Sequence, residues 1–167
     1  MKDVGLRYAG VAAFLMIIVF LVSYYIGVHP FIEISHLFFD LFVYGLVIFF
    51  ALNEFKKVVN EGILHFWQGM TIGFFVNIFS CGIYVLFLVL IMNFDENILI
   101  GYKQEAIDFL EIKSVQYIES FGNEQYENQL QTIQETTTLD LILLGGLKKF
   151  ISAMLMTPVL SILKRKT

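Results

Sequence analysis

The chain has 167 residues, of which 57% are hydrophobic and only 16% charged, and Phe alone occurs 18 times. A soluble domain usually carries about 25% charge, so much of this surface must meet lipid, and the composition excludes a soluble monomer. The net charge of −4 hides signs that are separated along the chain, a basic nucleic-acid face is absent, and the single Cys81 excludes an intramolecular disulfide.

From Tyr8 to Ile32 no residue is charged. A signal peptide has an apolar core of about 7–15 residues and a small-x-small cleavage site; this core is longer and ends in Ser23-Tyr24-Tyr25-Ile26. A first transmembrane helix over about Tyr8 to Gly27 fits better, with Tyr8, Tyr24 and Tyr25 where interfacial aromatics belong. Pro30 then ends or redirects it. A second span is expected from about His36 to Asn53, apolar except for Asp40 near its start, leaving through Glu54, Lys56 and Lys57.

The stretch from Gly62 to Phe94 again holds no Asp, Glu, Lys or Arg. As a helix it would be roughly 50 Å long, more than the roughly 30 Å hydrocarbon layer requires. Its membrane part is expected over about Gly69 to Met92. Ile63 to Gln68 is expected as a helix start in the interface, with His65, Trp67 and Gln68 as anchors.

Composition changes from Asn93 to Asp140, where ten acids face two bases, Lys103 and Lys113. Ala106, Phe109, Leu110, Tyr117, Ile118 and Phe121 recur at helical steps up to Gly122, and Asn123 is placed to cap a second helix. Two amphipathic helices with an acidic outer face follow, then a turn at Thr136-Thr137-Thr138. The last span, about Leu141 to Leu163, carries Lys148 and Lys149 inside it, Pro158 near its end and Lys164-Arg165-Lys166 after it. The fold class expected is therefore an all-α integral membrane protein. It has four transmembrane helices and an extracytoplasmic helical insertion at 93–140 between spans three and four. Lys2, Arg7, Lys56, Lys57, Lys164, Arg165 and Lys166 then share one side, which puts both termini in the cytoplasm.

Few residues here carry chemistry. A carboxylate in lipid costs about 2.5 kcal/mol or more unless paired or hydrated, so Asp40 is expected to pair with Lys148 or Lys149 across spans two and four. The alternative is that both lysines snorkel to the headgroups. His29, Glu33, His36 and Asp40 would share a face of one continuous helix and offer zinc-type ligands. Against this, Pro30 interrupts such a helix, and the row otherwise forms a polar mouth. Gly69-x-x-x-Gly73 with Asn77 and Ser80, and Ala9-x-x-x-Ala13, read as helix-packing surfaces. Phe109, Tyr117, Ile118 and Phe121 form an apolar stripe that the bundle, a second copy or a partner must cover. No Ser-His-Asp set, phosphate-binding glycine loop or paired-Cys motif is present, and no cofactor is expected.

Ile63-Leu64-His65-Phe66-Trp67-Gln68-Gly69-Met70 resembles the start of the third span in domain-of-unknown-function family 4199, small inner-membrane proteins of the Bacteroidota. Gly122-Asn123-Glu124-Gln125-Tyr126-Glu127 resembles a segment of that family's outer helices. Phe150-Ile151-Ser152-Ala153-Met154-Leu155, with Leu163-Lys164-Arg165-Lys166, resembles its ending. The family usually has Pro after the third span and Asn-Pro before the fourth, where this chain has Asn93-Phe94-Asp95 and no such Pro. The resemblance implies a bacterial inner-membrane location and a place near lipid-linked sugars of the envelope, but no activity. Three readings follow. The first is a non-enzymatic subunit or accessory of an envelope complex, with membrane lipid and other membrane or periplasmic subunits, or a second copy, as partners. The second is a flippase-like carrier of lipid or polyprenyl-linked glycan, using Asn77 and Asp40. The third is a metal-dependent membrane enzyme using His29, Glu33, His36 and Asp40.

Overall fold

The computed structural model describes residues 1–32 and 35–165, and every regular element among them is helical. The first helix, α1 (Lys2–Ile26), buries Val4, Gly5, Ala9, Ala12, Ala13, Met16 and Phe20 at three- and four-residue steps. Its other faces are apolar too, with Phe14, Ile18 and Val22 exposed. A helix apolar all round belongs in a core or in lipid, and this outer face is left largely exposed among the described residues. Gly27 ends it in the left-handed region, at φ 85°, where a side chain would be strained.

The second helix, α2 (Ser35–Glu54), runs into one π-helical turn at Phe55–Val59. The third, α3 (Phe66–Phe94), starts later than the sequence suggested. Ile63 to His65 are not helical: Leu64 is fully buried and His65 is the N-cap, its amide N–H donating to Gln68 Oε1 at 2.9 Å. Gln68 is thus a buried capping residue rather than an interfacial anchor, while Trp67 is exposed. The spans Lys2–Ile26, His36–Val59 and Phe66–Phe94 are long and apolar enough to cross a membrane.

The acidic segment folds as three helices, not two: α4 (Asn97–Ile112), α5 (Ser114–Phe121) and α6 (Asn123–Glu135). The extra break is at Lys113, whose backbone (φ −99°, ψ 9°) leaves the helical region. It turns Tyr117 onto Tyr126 of α6, with ring centroids 6.3 Å apart. Gly122 (φ 88°) holds the N-cap of α6, and Asn123 is instead its first helical residue, donating to Glu127 at 3.2 Å. The last helix, α7 (Thr138–Lys164), is capped reciprocally by Thr137 and Asp140 and passes through Pro158 unbroken.

Contacts fix the helix directions. Gly5 meets Ile72 and Phe75, and Phe20 meets Tyr84 and Phe87, so α1 and α3 run parallel. Gly69 faces Ser161, Gly73 faces Thr157 and Gly145 faces Leu88, so α3 and α7 run antiparallel along most of their length. Gly45 meets Met156, and Lys56 reaches the Lys164 carbonyl, so α2 and α7 run parallel. The result is an up-down-up-down bundle with α1 beside α3, α3 beside α7, α7 beside α2 and α2 beside α1. α4 covers one end, burying Ile98 there, and α6 returns along α4 with Leu110 and Ile133 buried.

Candidate functional site

The charged pair at the bundle centre comes from two neighbouring helices. Lys149 Nζ of α7 forms a salt bridge with Asp40 Oδ1 of α2, and both side chains are buried. Lys149 also lies 4.9 Å from the centroid of the Tyr84 ring on α3. In a medium without water this ring face is an additional partner for the ammonium. Lys148, one residue earlier and half-buried, turns elsewhere and donates to the Phe31 carbonyl at 2.7 Å. Phe31 is itself buried, its ring edge-on to Phe20 at 5.8 Å. The two adjacent lysines therefore serve different tasks. One neutralises Asp40, and the other holds the loop after Pro30 down on the bundle.

The row of zinc-type ligands divides. His29 is not on α2, which begins at Ser35; its Nε2 lies 2.9 Å from the Ile98 carbonyl, under α4. His36 is buried one turn before Asp40 and within electrostatic reach of it. Glu33 lies outside the described residues. Among the described residues no three His, Cys, Asp or Glu side chains converge on a metal position.

The small and polar stripe of α3 is taken up by α7. A Cβ at Gly69 would lie 2.7 Å from Ser161 Oγ, and one at Gly73 would fall on the Thr157 side chain. Next along, Asn77 Nδ2 donates to the Phe150 carbonyl at 3.3 Å, and the Ser80 and Tyr44 hydroxyls lie 3.0 Å apart. Asn77 Oδ1 is buried without a hydrogen-bond partner among the described residues. Ala9 and Ala13 are buried on α1. Close backbone approach through small residues is how helices associate where lipid is as apolar as the side chains.

The apolar stripe lies towards the tip of the arm. Phe109 and Phe121 are exposed and Tyr117 and Ile118 are half-buried. Helix α5 has no buried residue. Between the arm and the loop after Pro30 is a cleft of about 430 Å³, lined by Phe31, Tyr102, Phe109, Leu110, Tyr117 and Ile133 among others.

Sequence reasoning missed the contacts that tie the ends of the bundle. Arg7 forms a salt bridge with Glu54, which also accepts from the Tyr8 hydroxyl at 2.9 Å. At the opposite end the Tyr24 hydroxyl donates to Asp95 at 2.7 Å, and this bond holds the Asp95 carboxyl below its ordinary range. Both tyrosines lie near the ends of α1. Their partners follow only from which helices are neighbours.

A family model for proteins of unknown function (DUF4199) matches residues 7–166. The chain belongs to this DUF4199 family. No curated protein and no solved structure matches it. The match covers the bundle and the arm alike.

Proposed function

We propose that this DUF4199 protein is a four-crossing, non-enzymatic subunit or accessory of a larger complex in a bacterial inner membrane. In this reading both termini are cytoplasmic and the α4–α6 arm is the contact surface. Antiparallel packing supports the fourth crossing: α7 matches α3 from Gly145 against Leu88 to Ser161 against Gly69, so if α3 spans, α7 does too. The outward face of α7 is apolar as well, with Leu143, Leu147, Met154, Leu155 and Ile162 exposed. Positive charge at the termini and near Lys56 sets the orientation.

The single observation that carries the subunit reading is α5. It packs on α4 and α6 and buries nothing: its own Val115 and Phe121 are 71% and 65% exposed, and Ile112 at the end of α4 is 83% exposed. An apolar surface of this kind on an acidic arm fits a partner segment with an apolar anchor and basic flanks. The carrier reading needs the α3 stripe to line an opening, and α7 fills that position.

The test is isolation of the tagged, natively expressed chain in mild detergent with identification of what travels with it. A stoichiometric partner lost on Val115→Ser/Phe121→Ser, with the melting temperature unchanged, is the expected result. A chain isolated alone from native membranes would overturn the reading.

A further inference from the structure

The bundle end opposite the arm carries four cations that form no salt bridge among the described residues. Lys56 and Lys57 sit in the π-helical turn after α2, and Lys164 and Arg165 end α7. The turn brings Lys56 Nζ to the Lys164 carbonyl, 3.0 Å away. Lys164 Nζ in turn lies 3.6 Å from the centroid of the Phe49 ring. Lys56 and Lys57 are both within electrostatic reach of Lys164, so the three ammoniums repel one another. The nearest acid in sequence, Glu54, is already bound by Arg7 and Tyr8 of α1. Among the described residues the only salt bridges are Arg7 with Glu54 and Lys149 with Asp40.

Beside this cluster, Val58 is 77% and Val59 53% exposed, and Phe49 and Phe50 face outward. A cation cluster with an apolar flank at the end of membrane helices combines the two halves of a phospholipid: an anionic headgroup and acyl chain. Isolated π turns are found often at functional sites, and here the turn is what carries the α2 lysines across to α7. Basic pockets between helices on the cytoplasmic side bind anionic headgroups, and each such charge favours the lipid roughly fivefold.

We infer that Lys56, Lys57, Lys164 and Arg165 form a binding site for the phosphate headgroup of an anionic phospholipid of the inner leaflet. The site rests on the membrane-spanning reading, because this end of the bundle must lie at a bilayer surface.

The full-length chain in nonionic detergent is titrated with dioctanoyl phosphatidylglycerol, dioctanoyl phosphatidylcholine and glycerol phosphate, following the thermal unfolding temperature. Phosphatidylglycerol is expected to raise it at concentrations at least tenfold lower than phosphatidylcholine, and glycerol phosphate to leave it unchanged. Lys57→Gln/Arg165→Gln, at two exposed positions, should remove most of that preference without lowering the unfolding temperature in detergent alone. Equal response to both lipids, or a preference that survives the double change, overturns the inference. A response to glycerol phosphate matching that to phosphatidylglycerol assigns the site to a free phosphate and overturns the lipid assignment. Failure of the chain to enter phosphatidylcholine nanodiscs at all would instead strike the membrane-spanning reading.

Discussion

Asp40 of α2 and Lys149 of α7 form a salt bridge inside the bundle, and each is a single turn or two from side chains that are wholly apolar. Removing one partner leaves a buried charge unanswered, which costs about 3–5 kcal/mol in a protein interior, whereas replacing both with apolar groups is often neutral. Asp40→Leu and Lys149→Met should each lower the unfolding temperature in detergent sharply. The double variant should recover most of the loss, and the charge exchange Asp40→Lys/Lys149→Asp should do better than either single reversal. A double variant as damaged as the singles would show that the pair is not the interaction at stake.

Two glycines of α3 separate packing from composition. Gly73 lies against the Thr157 side chain, while a Cβ at Gly82 meets nothing within 4 Å. Gly73→Val should overpack the α3–α7 contact and cost about 1–3 kcal/mol. Gly82→Ala should be neutral or stabilise by up to about 1 kcal/mol, since Ala is the better helix former. Denaturation of both variants in the same detergent gives the comparison, and Thr157→Ala should rescue part of the Gly73→Val loss.

The Tyr24–Asp95 bond predicts a pH dependence. Asp95 is held below its ordinary range, first by the Tyr24 hydroxyl and further by Asn97. A carboxyl with a depressed folded-state pKa contributes stability that is present above its unfolded pKa, about 3.9, and lost as pH falls through the folded value. The difference in unfolding temperature between the native chain and Tyr24→Phe should therefore be full at pH 7 and should shrink as pH drops below about 4. A difference that does not change with pH would mean that the Tyr24 ring, not its hydroxyl, is what matters.

Topology can be read with one cysteine. Cys81 is buried on α3. The native chain should not react with a membrane-impermeant maleimide until it is unfolded in SDS. Glu124→Cys on the exposed arm should react in cells whose outer membrane alone is permeabilised. Labelling of Glu124→Cys only after lysis would invert the proposed orientation.

The uncharged runs from Tyr8 to Ile32 and from Gly62 to Phe94 already require membrane-scale helices, because no other environment satisfies that much apolar surface. Gly122 likewise announced a break in the arm through its freedom at positive φ. The break at Lys113 carried no such signal. Ile112-Lys113-Ser114 holds neither Gly nor Pro, and the bend accompanies the meeting of Tyr117 with Tyr126 across the arm.

The same division holds at the centre of the molecule. Asp40 in a long apolar run calls for a cation, and Lys148 and Lys149 are the candidates in the last apolar run, since a lone carboxylate in lipid is too costly to leave unanswered. Which of the two reaches it is visible only in the packed bundle, where Lys149 pairs with Asp40 and Lys148 holds Phe31. That choice depends on how α7 is rotated about its axis, and the rotation is set by Gly69 and Gly73 admitting Ser161 and Thr157. A residue's depth in a membrane follows from its own chain position. The neighbour it faces follows from the side chains of another helix.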